Sequence, residues 1–315
     1  MRSDSISCCR DGVMIKEEEH SREKRMKKGL SVRIYLKQMR IKSWLKNLFV
    51  FFPIIFSLEL FEWNKFIQAV ILTLSFCFIS SAIYVLNDIS DVESDRKHEV
   101  KKNRPIASGQ ISFPCAWILL VCLTIAGFGL ALPVNLFSFL FILAYVVINI
   151  LYSKWLKTKA VIDCFCIAAG FVIRVMVGGT IVKDGVSDWM FLTVVSLSLF
   201  MAFGKRRGEL HNYGAGGTRD VLEIYEMNFL NGIVFMCAGL TMVFYSLWSI
   251  SQESNLVYTV PIVLFIVIRY LLLVFSGRSE ADPTTLILSD KTLLVSCGLC
   301  ALIMLVLLYG TRIFR

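Results

Sequence analysis

The sequence predicts an all-α integral membrane protein, and three observations carry that prediction. The chain is 56% hydrophobic over 315 residues, with a mean hydropathy of +0.67, more apolar surface than a soluble domain of this length can bury. Nine apolar runs of bilayer-spanning or near-spanning length fall near 44–61, 66–86, 115–132, 134–152, 160–182, 189–204, 228–250, 256–276 and 292–310. The charge between them alternates. Connections at 87–114, 153–159, 205–227 and 277–291 carry fourteen Lys and Arg, whereas the intervening ones carry only Lys65 and Lys183. Nine transmembrane helices are therefore expected, with the amino terminus and the basic loops in the cytoplasm at the inner cell membrane. An odd number of spans places the carboxyl terminus outside, and Arg312 and Arg315 count weakly against that.

Taken in order, residues 1–29 are polar and charge-rich, and read as a disordered tail rather than a signal peptide. Met14 and Met26 within it are alternative start sites. Residues 30–43 set Leu30, Ile34, Tyr35 and Met39 against Arg33, Lys37, Arg40 and Lys42, a basic amphipathic helix for the inner leaflet. Residues 30–315 then form one transmembrane domain. The net charge of +9 is accounted for by the tail and the loops, and attracts anionic lipid. No basic domain stands apart from the membrane, which excludes nucleic acid as a partner. Cys77, Cys122, Cys164, Cys166, Cys237, Cys297 and Cys300 lie in apolar runs without disulfide or zinc spacing, as small packing residues. The outer connections are short and featureless; the inner ones are long and rich in charge and in Tyr, Asn and Asp. Polar groups crowded at one end predict a pocket opening to the cytoplasm, where a conduction path would need them through the membrane's depth.

The chemistry concentrates at residues 87–105. Asn87, Asp88, Asp91 and Asp95 repeat every three or four positions at the foot of an apolar run, so on a helix they share one face. Three carboxylates there form a like-charge array that needs a cation, and they stand on a surface that otherwise favours basic residues. Mg²⁺ takes oxygen ligands and commonly shares them with substrate phosphates. Lys101, Lys102 and Arg104 follow, cations suited to those phosphates, with Arg104 stiffened by Pro105. Each lysine is read equally well as ordinary inner-surface charge.

Further candidates are Lys46 and Asn47 at the start of the first run, and Tyr152 and Lys157 at the end of the fourth. Asp163 begins the fifth, where a simple surface pair with Lys157 or Lys159 is the alternative to a functional role. Lys205, Arg206 and Arg207 end the sixth, followed by Arg219 and Tyr225; they suit a second anionic group or a stop-transfer flank. Arg174 and Arg269 fall inside spans, where a charge needs a partner; Arg174 is expected to face the bundle and Arg269 to snorkel. The only histidines, His20, His98 and His211, form no nucleophile–base arrangement, and no Gly-x-Ser-x-Gly or P-loop is present.

These motifs resemble those of the UbiA superfamily of intramembrane transferases. The superfamily mark is Asn87-Asp88-x-x-Asp91-x-x-x-Asp95 with Arg104-Pro105. Three further stretches resemble its decaprenyl-phosphate phosphoribosyltransferase branch: Ser43-Trp44-Leu45-Lys46-Asn47, Ala169–Arg174 with Gly178-Gly179, and Phe203–Leu210. The resemblance covers roughly 30–312. It implies nine helices around a central cavity, and a Mg²⁺ on the donor diphosphate held by Asn87, Asp88, Asp91 and Asp95. Prenyl-transferring relatives carry a second motif of two aspartates four apart. Here Asp163-Cys164-Phe165-Cys166-Ile167 keeps only the first, a departure that agrees with the phosphoribosyl branch.

The implied reaction moves 5-phosphoribose from 5-phosphoribosyl diphosphate to a polyprenyl phosphate, such as decaprenyl phosphate, releasing diphosphate. Asp88, Asp91, Tyr152 and Lys157 would serve the reacting centre. Lys46, Asn87, Lys101, Lys102, Arg104, Asp163, Arg174, Lys205, Arg206 and Arg207 would bind substrate. The product would supply pentose to a cell envelope. Two other readings stay open: prenyl transfer from a polyprenyl diphosphate to an aromatic acceptor, and transport or lipid binding without catalysis. The sequence also leaves a homo-oligomer open.

Overall fold

The computed structural model describes residues 32–97, 99–214, 220–252, 255–276 and 283–313. The predicted tail at 1–29, His20, His98 and Arg219 lie outside the described residues. The described residues are helical, without a strand among them. Among the described residues, eight helical stretches are long and apolar enough to cross a membrane: Trp63–Ser90 (α1), Phe113–Ala131 (α2), Leu136–Lys154 (α3), Ile162–Gly179 (α4), Asp188–Tyr213 (α5), Met227–Ser251 (α6), Leu256–Phe275 (α7, whose first turn, Leu256–Thr259, is 3₁₀) and Lys291–Ile313 (α8). Their starts and stops follow local chemistry. Asn135 caps α3 by accepting from the Phe137 amide at 2.7 Å, and Ser187 caps α5 by accepting from Met190. Gly214, at φ +69°, ends α5 in a conformation that costs glycine little.

The first predicted span differs from expectation. Residues 44–61 do not form one α-helix; a 3₁₀ helix at Ile41–Phe51 runs into a five-residue α-helix at Phe52–Phe56. Pro53 is the physical reason, since its ring would clash with the Phe49 carbonyl and it offers no amide to that acceptor. The pair is nonetheless long. Eleven 3₁₀ residues extend about 22 Å, and the α-helical turn adds about 7.5 Å. The sixth run also differs. It was expected to stop at 204 and give way to a loop, yet α5 continues to Tyr213 and carries Lys205–Leu210 in its last turns.

The chain divides into two compact units. Among the described residues, one comprises 32–43 and 80–124; the other comprises 44–79 and 125–313. In the first, the amphipathic helix predicted for 30–43 is short: it covers 32–38, with Gln38 buried, and the chain turns at 39–40 before the 3₁₀ helix begins. The Ser81 hydroxyl donates to the Met39 carbonyl at 2.8 Å. In the second, an apolar core gathers Phe200, Phe203, Leu230, Val234, Tyr270 and Val274 from α5, α6 and α7. The 3₁₀ helix packs there against α4 at Gly178, where any Cβ would stand 2.0 Å from the Val50 carbonyl oxygen. Arg269 does not snorkel alone: Asp290 accepts from both its Nε (3.3 Å) and its Nη2 (2.8 Å). No disulfide forms among the described cysteines.

Candidate functional site

At 28 residues α1 is about 42 Å long, more than the ~30 Å hydrocarbon layer requires. Its surplus end carries Asn87 and Asp88. The helical path then continues, because the Asp91 amide donates to the Asn87 carbonyl and the Asp95 amide to the Asp91 carbonyl (2.9 and 2.8 Å). Asp95 lies in the next helix, Val92–Lys97. The spacing of three and four therefore stays a helical spacing through all four residues.

Asp88 and Asp95 are 3% and 2% exposed, and both accept from one nitrogen, Arg104 Nη1, at 2.9 and 2.6 Å. Asp88 also accepts from Arg40 Nη2 at 2.7 Å and from Gln38 Nε2 at 2.8 Å. The Arg40 guanidinium lies 4.6 Å above the Tyr84 ring. Buried carboxylates of this kind persist only when paired. Of these partners the sequence predicts Arg104 alone; Arg40 reads there as the polar face of an amphipathic helix, and Gln38 carries no signal. Asn87 and Lys101 are half-buried, whereas Asp91 and Lys102 are exposed.

The second unit holds two further clusters. In one, Asp163 and Arg206 are both fully buried and paired at 2.5 Å (Oδ2 to Nε). Arg206 Nη1 reaches Glu209 Oε2 at 2.5 Å, and Tyr225 donates its hydroxyl proton to Asp163 Oδ1 at 2.7 Å. Arg206 Nη2 has no partner among the described residues. Asp163 stands in the first turn of α4, where the helix dipole favours a negative charge. Arg207 is buried too: its Nε donates to Asn231 at 2.7 Å, its Nη1 to the Val274 carbonyl at 2.9 Å, and it lies 3.8 Å over Phe275. Of the three consecutive cations only Lys205 is partly exposed. Tyr152 is half-buried near the end of α3, and Lys157 is exposed in the 3₁₀ turn Leu156–Thr158.

In the other cluster, buried Arg174 donates to Asn47 Oδ1 (2.8 Å), the Gly170 carbonyl (2.6 Å) and the Tyr145 hydroxyl (3.4 Å). Phe76, Tyr145 and Phe171 surround the guanidinium at 4.7, 5.1 and 5.6 Å. Asn47 in turn donates to Cys77 Sγ at 3.2 Å. Aromatic faces and a fixed amide oxygen stabilise a cation there without a carboxylate. Lys46, beside Asn47, is half-buried.

Residues 48–295 match the family model described as the UbiA prenyltransferase family, well over half of the chain. The chain belongs to the UbiA family. Among relatives within it, the decaprenyl-phosphate phosphoribosyltransferase of Corynebacterium glutamicum is 34% identical over 273 residues, 82% of either chain. That of Mycolicibacterium smegmatis is 32% identical over 224 residues, 69% of this chain and 70% of the relative. A UbiA homolog from Archaeoglobus fulgidus, solved bound to GPP and Mg²⁺, shares the fold at a TM-score of 0.63 and 20% identity, covering 88% of this chain and 98% of that one. As a UbiA member with eight long apolar helices, the chain is a multi-pass membrane protein. Among the described residues no three Asp, Glu, His or Cys side chains are gathered into a ready metal site. In this UbiA chain the convergence is pairwise, Asp88 with Asp95 on a shared cation.

Proposed function

We propose that this chain transfers 5-phosphoribose from 5-phosphoribosyl diphosphate to a polyprenyl phosphate such as decaprenyl phosphate, releasing diphosphate, with Mg²⁺ as cofactor. The observation that carries the reading is identity of 34% over 82% of the chain to a decaprenyl-phosphate phosphoribosyltransferase, in a chain that keeps the aspartate-rich helix end. The donor set fits a hard divalent ion. It is all oxygen, and two of its carboxylates already converge on one cationic nitrogen within 2.9 Å. Asn87, Asp88, Asp91 and Asp95 would hold the ion. When bound, it supplies charge neutralisation for the leaving diphosphate.

The protein's own groups do the rest. Arg104, released from one of its carboxylates, has a fork suited to donor phosphate oxygens, and Lys101 and Lys102 add charge beside it. Tyr152 and Lys157 position the diphosphate or the ribose. Lys205 is better placed than Arg206 or Arg207 for a second phosphate, since both arginines are buried in internal pairs. Arg174, Asn47, Lys46 and Asp163 then act as supports of those elements. At the ribose, the C1–O bond to diphosphate breaks as a lipid phosphate oxygen bonds to C1 from the opposite face, through an oxocarbenium-like state. The phosphate monoester is already anionic near neutrality, its second pKa being about 6, so no general base is required.

The basic connections favour a cytoplasmic amino terminus and a cavity opening to the cytoplasm at the inner membrane, with Ile41–Phe56 as the ninth crossing. Prenyl transfer is the competing reading, suggested by the family's description and by the GPP-bound A. fulgidus homolog. Against it, the second motif keeps one aspartate, and that one already serves Arg206 and Tyr225. Replacing Asp91 with Asn tests the reading: transfer should fall at least about a hundredfold while the melting temperature holds. Near-normal turnover with Mg²⁺ present would refute it.

A further inference from the structure

We propose that Tyr225 is a positioning residue whose hydroxyl holds a strained turn at Val161 closed, and so fixes the lysine-bearing segment 157–159 at the head of α4. This rests on the reading above that Lys157 contacts the donor. The strain is local and specific. Val161 has φ +69° and ψ −49°, and the Ile162 amide donates to the Ala160 carbonyl at 2.8 Å across it. That is a γ-turn of positive φ, rare for any residue and a true outlier for a β-branched one. Such a conformation persists only where its surroundings over-determine it.

Core packing does not explain the turn, because the Val161 side chain is 38% exposed. An ordinary helix cap does not explain it either, since the residue at the head of α4 makes no side-chain cap bond. What holds it is a relay from a distant segment. The Val161 amide donates to the Tyr225 oxygen at 2.6 Å, and Tyr225 donates onward to Asp163 Oδ1 at 2.7 Å. Arg206 fixes the other oxygen of Asp163. The bond to Asp163 needs the Tyr225 hydroxyl protonated, while the Val161 amide uses a lone pair of the same oxygen. Burial raises its pKa well above the ordinary tyrosine value, so it keeps that proton. The ring itself is held edge-on to Phe203 and stacked against Phe229. The Asp163 amide donates back to the Lys159 carbonyl at 3.1 Å, which ties the lysine segment to the same point.

Tyr225→Phe removes the acceptor for the Val161 amide and keeps the ring. Val161→Gly removes the penalty for positive φ, so the turn can close without the clamp. The proposal is tested on the purified full chain, alone and with both changes, by amide exchange at Ile162 and Asp163 and by steady-state kinetics. Tyr225→Phe should speed exchange about tenfold and raise the donor KM about tenfold, with kcat within about twofold. Adding Val161→Gly should return both to within about threefold of the natural chain. Exchange that does not respond, or that Val161→Gly fails to restore, overturns the proposal. Exchange that responds and is rescued while the donor KM stays flat upholds the clamp and sinks the reading of Lys157 instead.

Discussion

Asp163 and Arg206, forty-three positions apart and both fully buried, pair at 2.5 Å. Glu209 and Tyr225 close the group, so that one guanidinium offsets two carboxylates. Breaking such a pair from one side leaves an uncompensated charge, at a cost of about 3–5 kcal/mol. Arg206→Met should therefore melt far below the natural chain in detergent. Arg206→Met combined with Asp163→Asn and Glu209→Gln should recover a good part of the loss. A single Arg206→Met variant as stable as the natural chain would show that the group is solvated.

Gly178 makes a sharper steric prediction. A Cβ there would stand 2.0 Å from the Val50 carbonyl oxygen, with backbone rather than a flexible side chain in the way. Gly178→Ala should abolish folded protein or lower its melting point steeply. Gly129, in α2, has nothing within 4 Å, so Gly129→Ala should be neutral or stabilising by up to about 1 kcal/mol. Equal melting of the two variants would mean the 3₁₀ helix does not lie against α4.

Arg104 separates charge from fork. It donates to Asp88 and Asp95 from one nitrogen and stands beside the proposed donor site. Arg104→Lys keeps the charge but not the planar geometry, and should raise the donor KM about tenfold, with Arg104→Ala worse in kcat as well. Unchanged donor KM in both variants would remove Arg104 from phosphate binding.

The long helices were legible because hydropathy and length alone specify them: α2, α3, α6 and α8 begin and end within three residues of the apolar runs. The first span was misread because one proline decides it, and hydropathy does not register a missing amide. The end of α5 was misread for the opposite reason. Lys205–Glu209 looks like a cytoplasmic loop until Asp163, Asn231 and the Val274 carbonyl supply its partners, none of them near in sequence. The aspartate-rich helix end was readable from its spacing. The pairing of Asp88 with Arg40 and Gln38 was not, because it depends on a turn between residues 38 and 43 that no periodicity announces.

The most direct measurement of the proposed chemistry is donor identity in vesicles carrying the purified chain. With Mg²⁺ and decaprenyl phosphate, label from 5-phosphoribosyl diphosphate should pass into the lipid phase with one diphosphate released per label, and chelation of the metal should stop it. Label entering lipid product only from a polyprenyl diphosphate, or no diphosphate released with either donor, would contradict phosphoribosyl transfer.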